Sequence, residues 1–394
     1  MSHPSGTAFT ALLSDHRGRT IVEQKKTSEE ASLGLDFGKR PVGYYELTLS
    51  ASSGQKGFAT LAVLPEKSVE KSKHIFGTIA HLKRLAAPAM TNRIALLSRV
   101  GINYIREGFL WAMVESNKGT FEWQVFDRIV EETRRNGIRV LPVAAYGVDW
   151  AVNPSETRFP FSGDLKDWNR FLSALVGRYK ARVDHWEIWN EPNLKTYWKA
   201  APNAEAYAEL LAASYQTVKR VQPQGQVVTA GLAPMHFFKD KPESHEDLFM
   251  KTICEKAPTS FDIAGYHPYT VPRNEMSNAM MASKLPFMTR LISNAMMGRE
   301  LSAKKIWFTE MGTPTMAFMN EKRAAEYLTL VLAKSLSMPQ VGARFWYDLV
   351  DDGTNASDKE HHFGLLHYDG TPKPGFIAYQ VLIRKLGNAD FIRE

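Results

Sequence analysis

The sequence predicts an α/β fold: a (β/α)8 TIM barrel over residues 74–394, preceded by a small β-rich accessory segment over residues 1–70. Three observations carry this. From His74 onward, short runs rich in β-branched and aromatic residues alternate with longer helical stretches, as in a parallel sheet with crossover helices. The alternation repeats eight times. No Gly-rich phosphate loop follows an early strand, which sets aside the doubly wound sheet. With 394 residues, 44% of them hydrophobic, the chain has room for a barrel of about 250 residues plus loop insertions.

In the N-terminal segment, 44–49 and 57–64 read as antiparallel strands around Ser52-Ser53-Gly54. Two strands are too few for a free-standing sandwich, so this segment is expected to lean on the barrel or to borrow C-terminal chain. Residues 66–73, rich in Lys, Glu and Ser, read as a linker. The barrel strands fall at 75–80, 102–109, 139–146, 185–190, 227–232, 261–269, 306–311 and 343–349. Helical patterns occupy 121–136, 165–179, 204–221, 321–336 and 374–386.

Composition excludes several classes. Charged residues at 23%, with 26 Gly and 20 Pro, are ordinary for a globular chain, which removes disordered and fibrous proteins. No run approaches 18 apolar residues, so no membrane span is expected. Lys and Arg (49) exceed Asp and Glu (42), giving a net charge of +7. The basic residues are scattered, however, and clusters such as Arg134/Arg135 are short; a solvated surface of a monomer is expected, without a nucleic-acid partner. The single cysteine, Cys254, excludes an internal disulfide and a Cys-based zinc site, and reads as a buried inert thiol. The N-terminus has no secretory signal pattern. The expected location is therefore cytoplasmic, or periplasmic or extracellular if a signal was removed ahead of this numbering.

Active sites of such barrels lie where strands end and βα loops begin. Read to their ends, the strands deliver Arg106 and Glu107, Tyr146, Asn190 and Glu191, His267 and Tyr269, Glu310, then Trp346 and Asp348. Glu191 and Glu310 directly follow apolar-aromatic runs. A carboxylate in such a place is costly unless paired, solvated or protonated, and perturbed carboxylates concentrate at functional sites. His267 and the pair His361-His362 lack an HExxH or comparable spacing, so no metal and no cofactor is expected. No lysine stands at a strand end, which speaks against an aldolase.

The octapeptide Trp186-Glu187-Ile188-Trp189-Asn190-Glu191-Pro192-Asn193, joined to Trp307-Phe308-Thr309-Glu310-Met311-Gly312 and Phe345-Trp346-Tyr347-Asp348, resembles the clan A glycoside hydrolases over residues 74–387. That octapeptide and Gly265-Tyr266-His267-Pro268-Tyr269 are most similar to family 39, which includes β-xylosidases, α-iduronidases and PslG-like glycosidases of bacterial exopolysaccharide. Gly43-Tyr44-Tyr45-Glu46-Leu47 and Ala62-Val63-Leu64-Pro65 resemble the β-sandwich ahead of the barrel in the PslG-like branch.

The resemblance implies a retaining double displacement on an oligo- or polysaccharide, with endo action on an exopolysaccharide. Glu191 is then the acid/base, its pKa raised by burial and by the charge of Glu310, and Glu310 is the nucleophile, held by Arg106 and Tyr269. Arg106, Tyr146, Asn190, His267, Tyr269 and Trp346 become substrate-binding residues, with Asn190 meeting the sugar 2-hydroxyl. Trp111, Tyr146, Trp150, Trp189, Trp198 and Trp346 are candidate stacking platforms; of these, Trp189 also reads as core and Trp346 as the floor of the site. Residues 235–250 and 270–300 are expected to shape specificity. The alternatives are exo action on terminal sugars, as in β-xylosidases, and a catalytically silent carbohydrate-binding barrel.

Overall fold

The computed structural model describes residues 6–28, 33–65, 72–151, 165–236, 238, 240–270, 276–296, 298–316 and 318–392. Most of the expected linker, 66–71, lies outside them. The chain begins with four antiparallel strands, β1 (Ala8–Asp15), β2 (Thr20–Thr27), β3 (Gly43–Ala51) and β4 (Lys56–Val63), in the order β2-β1-β3-β4. In β1 the alternating Phe9, Ala11 and Leu13 are buried. The outer strand β2 is mostly polar and exposed, with Lys25 and Lys26 on an edge where charge discourages strand pairing between molecules. The sheet is thus built from N-terminal chain alone, and the expectation that it borrows C-terminal chain is corrected: the polar β2 supplies the missing pairing. The expected lean on the barrel is present. Tyr44 is buried in the barrel's helix layer, β3 lies against the helix Pro374–Leu386, and Glu46 pairs with Lys322.

Eight parallel strands then close a barrel in the order β10-β11-β12-β5-β6-β7-β8-β9. They are β5 (Ile75–Ile79), β6 (Tyr104–Leu110), β7 (Arg139–Ala145), β8 (His185–Ile188), β9 (Gln226–Thr229), β10 (Ile263–Tyr266), β11 (Lys305–Met311) and β12 (Val341–Trp346). Each is followed by a helix of at least 11 residues, such as Ala87–Val100 after β5 and Glu246–Lys256 after β9. All eight expected strands are present, several of them shorter at the C-terminal end. β8 stops at Ile188 because Trp189 takes a left-handed backbone, φ 74°, which a strand cannot continue.

Alternation sorts the strand side chains into two layers. Ile79, Tyr104, Leu141, Val228, Ile263, Trp307, Ala343 and Phe345 fill the barrel interior. Their neighbours Phe76, Ile105, Val140, Trp186, Phe308 and Trp346 point outward into the helix layer. Each fully buried side chain of this size contributes roughly 1.5–3 kcal/mol of burial free energy. One strand breaks its alternation near the mouth. Phe308 pairs with Arg344 and Met311 with Trp346, so three steps along β11 oppose two along β12. This bulge turns two consecutive side chains, Thr309 and Glu310, towards the interior end where the loops converge.

Candidate active site

Above the interior layer, the C-terminal ends of the strands open into a cleft of about 900 Å³ lined by Arg106, Tyr146, Asn190, Glu191, Tyr269 and Glu310 among others. Arg106, at the inward register of β6, is 5% exposed and organises the floor. Its Nε and Nη2 donate to the two carboxylate oxygens of Glu187 at 2.6 and 3.0 Å, Nη1 donates to Glu310 Oε1 at 2.6 Å, and Nη2 also donates to Asn190 Oδ1 at 2.8 Å. One planar guanidinium therefore sets two carboxylates and an amide, a bidentate geometry that lysine cannot reproduce. The second oxygen of Glu310 accepts from the Tyr269 hydroxyl at 2.9 Å. Burial, with the charge of Glu310 behind it, pushes the Tyr269 phenol well above its usual range and keeps it a donor.

Glu191 sits in different surroundings. It leaves β8 in a left-handed conformation, φ 43°, anchored by its amide on the carbonyl of Gly231 at 3.1 Å. Among the described residues its carboxyl is hydrogen-bonded to no arginine; Oε1 lies 2.8 Å from His267 Nδ1, and His267 Nε2 lies 3.1 Å from Thr309 Oγ1. Burial raises the Glu191 carboxyl from 4.5 to about 7; Arg106 and Lys359 oppose this, while Glu360 and Glu187 add to it. The sequence-based expectation named Glu310 as the second cause. In the structure Arg106 is bound to Glu310 and offsets its charge. His267, fully buried, is pushed down to about 4, chiefly by that burial, and is neutral near pH 7. One ligand atom from each of Glu191, His267 and Glu310 lies within 4.8 Å of the other two.

Gly231 makes this packing possible. A β-carbon there would stand 2.0 Å from His267 Nε2 and 2.5 Å from Thr309 Oγ1, and the Gly231 amide also donates to Glu187 Oε1 at 3.1 Å.

Of the residues expected at the site, Arg106, Tyr146, Asn190, Glu191, Tyr269 and Glu310 line the cleft, and His267 lies directly beneath it. Trp346 is corrected. It is 2% exposed and turned outward against Tyr327 of the helix Glu321–Leu336, because Ala343 and Phe345 hold the inward register of β12. The next inward position is Tyr347, which lines the cleft. Trp111, Trp189 and Trp198 are likewise fully buried core, and Trp150 packs on Trp111 with its indole N–H on the Glu115 carbonyl. The aromatic lining comes instead from Tyr146 stacked on Tyr197 on one side, and from Tyr269, Tyr347 and Phe363 on the other.

Sequence reasoning did not single out Glu187, Gly231, Tyr197, Tyr347, Lys359 or Glu360. Only Glu187 carries a local signal, a charge inside an otherwise apolar strand. Of the expected specificity segments, Met235 and Thr270 reach the cleft, and 237, 239, 271–275 and 297 lie outside the described residues. Cys254 is buried, its thiol raised to about 11 by burial, as expected of an inert thiol. Among the described residues no helix is long and apolar enough to cross a membrane.

Residues 89–394 match the model of glycosyl hydrolases family 39. A β-xylosidase of Caldicellulosiruptor saccharolyticus is 22% identical over 67% of this chain, and one of Geobacillus stearothermophilus is 29% identical over 33% of it. The matches span 56% and 30% of those two proteins' own lengths. In fold, the chain superimposes on a family 39 glycoside hydrolase of Bacteroides cellulosilyticus with a TM-score of 0.75 at 22% identity, covering 99% of this chain and 80% of that one.

Proposed function

Because the chain belongs to glycosyl hydrolases family 39, we propose that it is a retaining glycoside hydrolase with Glu310 as nucleophile and Glu191 as acid/base, residues 74–394 forming the catalytic barrel and 1–70 an accessory segment. The observation that carries this is the contrast between two close carboxyls. Glu310 is held by a guanidinium and a phenol, as an anion requires, whereas Glu191 is raised to about 7 in a pocket without a cation bound to it. Groups of opposite protonation at this spacing match the ~5–5.5 Å separation of double displacement better than the ~6.5–9.5 Å that leaves room for an attacking water.

In the first step a Glu310 oxygen bonds to the anomeric carbon, the glycosidic C–O bond breaks, and the Glu191 proton passes to the departing oxygen. His267 is the Nδ1–H tautomer throughout, donating to Glu191, now a carboxylate, while its bare Nε2 accepts from the Thr309 hydroxyl. In the second step Glu191 takes a proton from water, whose oxygen bonds to the anomeric carbon and releases Glu310. Asn190 has its amide oxygen committed to Arg106, which leaves its NH2 to donate to the sugar 2-hydroxyl. The aromatic pairs on either side would carry the flanking rings through their apolar faces.

The finer proposal is endo action on a bacterial exopolysaccharide, supported by aromatic residues on both sides of the two glutamates. The second reading, exo action on terminal sugars, is favoured by the two β-xylosidases to which the chain is similar. Proton NMR of the first-formed product tests the mechanism: retention of configuration is expected, and inversion would refute it. Product size on a long polymer tests the mode of action, since early monosaccharide release with little loss of viscosity would reject endo cutting.

A further inference from the structure

One wall of the cleft, where His81 and Asp352 are among the lining residues, carries a second group of polar side chains that the proposed reaction does not use. Asp348 is fully buried, and neither of its carboxylate oxygens has a hydrogen-bond partner. Opposite it, on the loop after β5, His81 adopts a left-handed backbone, φ 47°, and both of its ring nitrogens also lack hydrogen-bond partners. His81 Nε2 stands 3.5 Å from Asp348 Oδ2 and 3.9 Å from Asp352 Oδ1, and one ligand atom from each of the three residues lies within 4.8 Å of the others. The same Asp352 oxygen accepts from Arg84 Nη1 at 2.6 Å, a contact that fixes the orientation of this carboxylate. The other cation of this loop, Lys83, is committed to Glu107 at 2.6 Å.

A buried carboxylate facing an unbonded imidazole is unfavourable unless something sits between them. The polar atoms of His81 and Asp348 are closed to solvent, so a sugar hydroxyl in the cleft cannot reach them without moving the wall. A single ion enclosed by the three side chains can. Metal–ligand bonds of about 2.0–2.2 Å in a tetrahedral site place ligand atoms about 3.4 Å apart. The two distances from His81, 3.5 and 3.9 Å, are close to this, and the third pair lies within 4.8 Å, so the three side chains would draw together around the ion. One imidazole with two carboxylates suits a borderline first-row cation better than calcium or magnesium, which take larger all-oxygen shells.

We propose that His81, Asp348 and Asp352 bind one divalent cation of the zinc type, a structural ion that clips the loop after β5 to the end of β12. Tyr347 immediately precedes Asp348 and meets the His81 ring edge-on at 6.1 Å, so the ion fixes one aromatic wall of the cleft without touching the glutamates.

The test uses the full chain, stripped with a chelator and titrated calorimetrically with Zn²⁺ alone. One bound equivalent is expected, with a thermal midpoint several degrees above that of the stripped protein. Asp348→Asn, which keeps the shape and removes the charge, and separately His81→Gln should each weaken binding by about 100-fold or more and abolish the rise in midpoint. Glu310→Gln alters the other nearby His–carboxylate group and should leave this equivalent intact. Zn²⁺ held equally well by Asp348→Asn and His81→Gln, or lost in Glu310→Gln, would place the ion elsewhere and overturn the assignment. So would a stripped wild type that binds no Zn²⁺, since a proton or a water molecule would then occupy the gap.

Discussion

Replacing Glu191 with glutamine should stabilise the fold, by an amount set by pH. Burial raises this carboxyl from 4.5 to about 7. At about 1.36 kcal/mol per pH unit, ionising it in the folded chain is harder by roughly 3.4 kcal/mol than in the unfolded chain. Well below pH 4.5 both states hold the proton and there is no penalty. Between 4.5 and about 7 the unfolded chain releases a proton that the folded chain keeps, so wild-type stability falls as pH rises. Above about 7 both states are ionised and the full penalty persists. Glutamine never ionises and can still hydrogen-bond His267. The advantage of the variant should thus be near zero at low pH and reach a few kcal/mol in the alkaline range. With about 2.1 cal/mol/K of unfolding entropy per residue, 394 residues convert that into roughly 4 °C of thermal midpoint. Scanning calorimetry of both proteins at matched ionic strength, near pH 4 and near pH 8, measures it. An identical shift at both pH values would refute a raised Glu191.

Four further outcomes follow from the same geometry. For a glycoside with a poor leaving group, kcat/KM should fall with an alkaline limb near pH 7, where Glu191 loses its proton; a limb unchanged in Glu191→Gln would assign it to another group. Glu310→Gln should abolish turnover of every substrate, whereas Glu191→Gln should spare the first step on activated aryl glycosides, and equal damage to both leaving-group classes in pre-steady-state rates would contradict the roles. Gly231→Ala forces a β-carbon against His267, so kcat/KM should drop by about 100-fold or more with the fold kept by circular dichroism; an active Gly231→Ala enzyme would show that the His267 position is immaterial. Trp346→Ala should cost about 3–5 kcal/mol of stability, while Tyr347→Ala chiefly raises KM, and denaturation and kinetics giving the reverse pattern would restore Trp346 to the cleft.

Much of the barrel was legible because its elements carry their own boundaries. The helices Ala204–Val221, Glu321–Leu336 and Pro374–Leu386 begin and end where their pattern does, with Asn203 and Asn320 capping two of them and Pro374 opening the third. Strand β2, TIVEQKKT, went unread because it has almost no buried face to print a period on, whereas β1 does carry an alternation in Phe9, Ala11 and Leu13 that was missed. Glu191 and Glu310 stood out as charges at the ends of apolar runs. Tyr347 was displaced by its neighbour because size favoured the tryptophan, while register, which only the paired strands reveal, favours the tyrosine. Gly231, Lys359 and Glu360 contribute through proximity in space, for which a linear pattern holds no signal.

The bulge in β11 has a consequence for how this site tolerates change. A strand with regular alternation has a phase, and in that phase Glu310 would fall with Ile306 and Phe308 on the helix-facing side. It faces the cleft only because β11 spends one residue more than β12 between the Phe308–Arg344 and Met311–Trp346 pairs. Orientation of the key carboxylate is therefore encoded in a count and not in the identity of any neighbour. Substitutions around it leave the count intact, whereas losing Thr309 alone would restore the regular phase and draw the carboxylate one place back, into the position Thr309 holds against His267 and out of reach of the Arg106 and Tyr269 donors set for it.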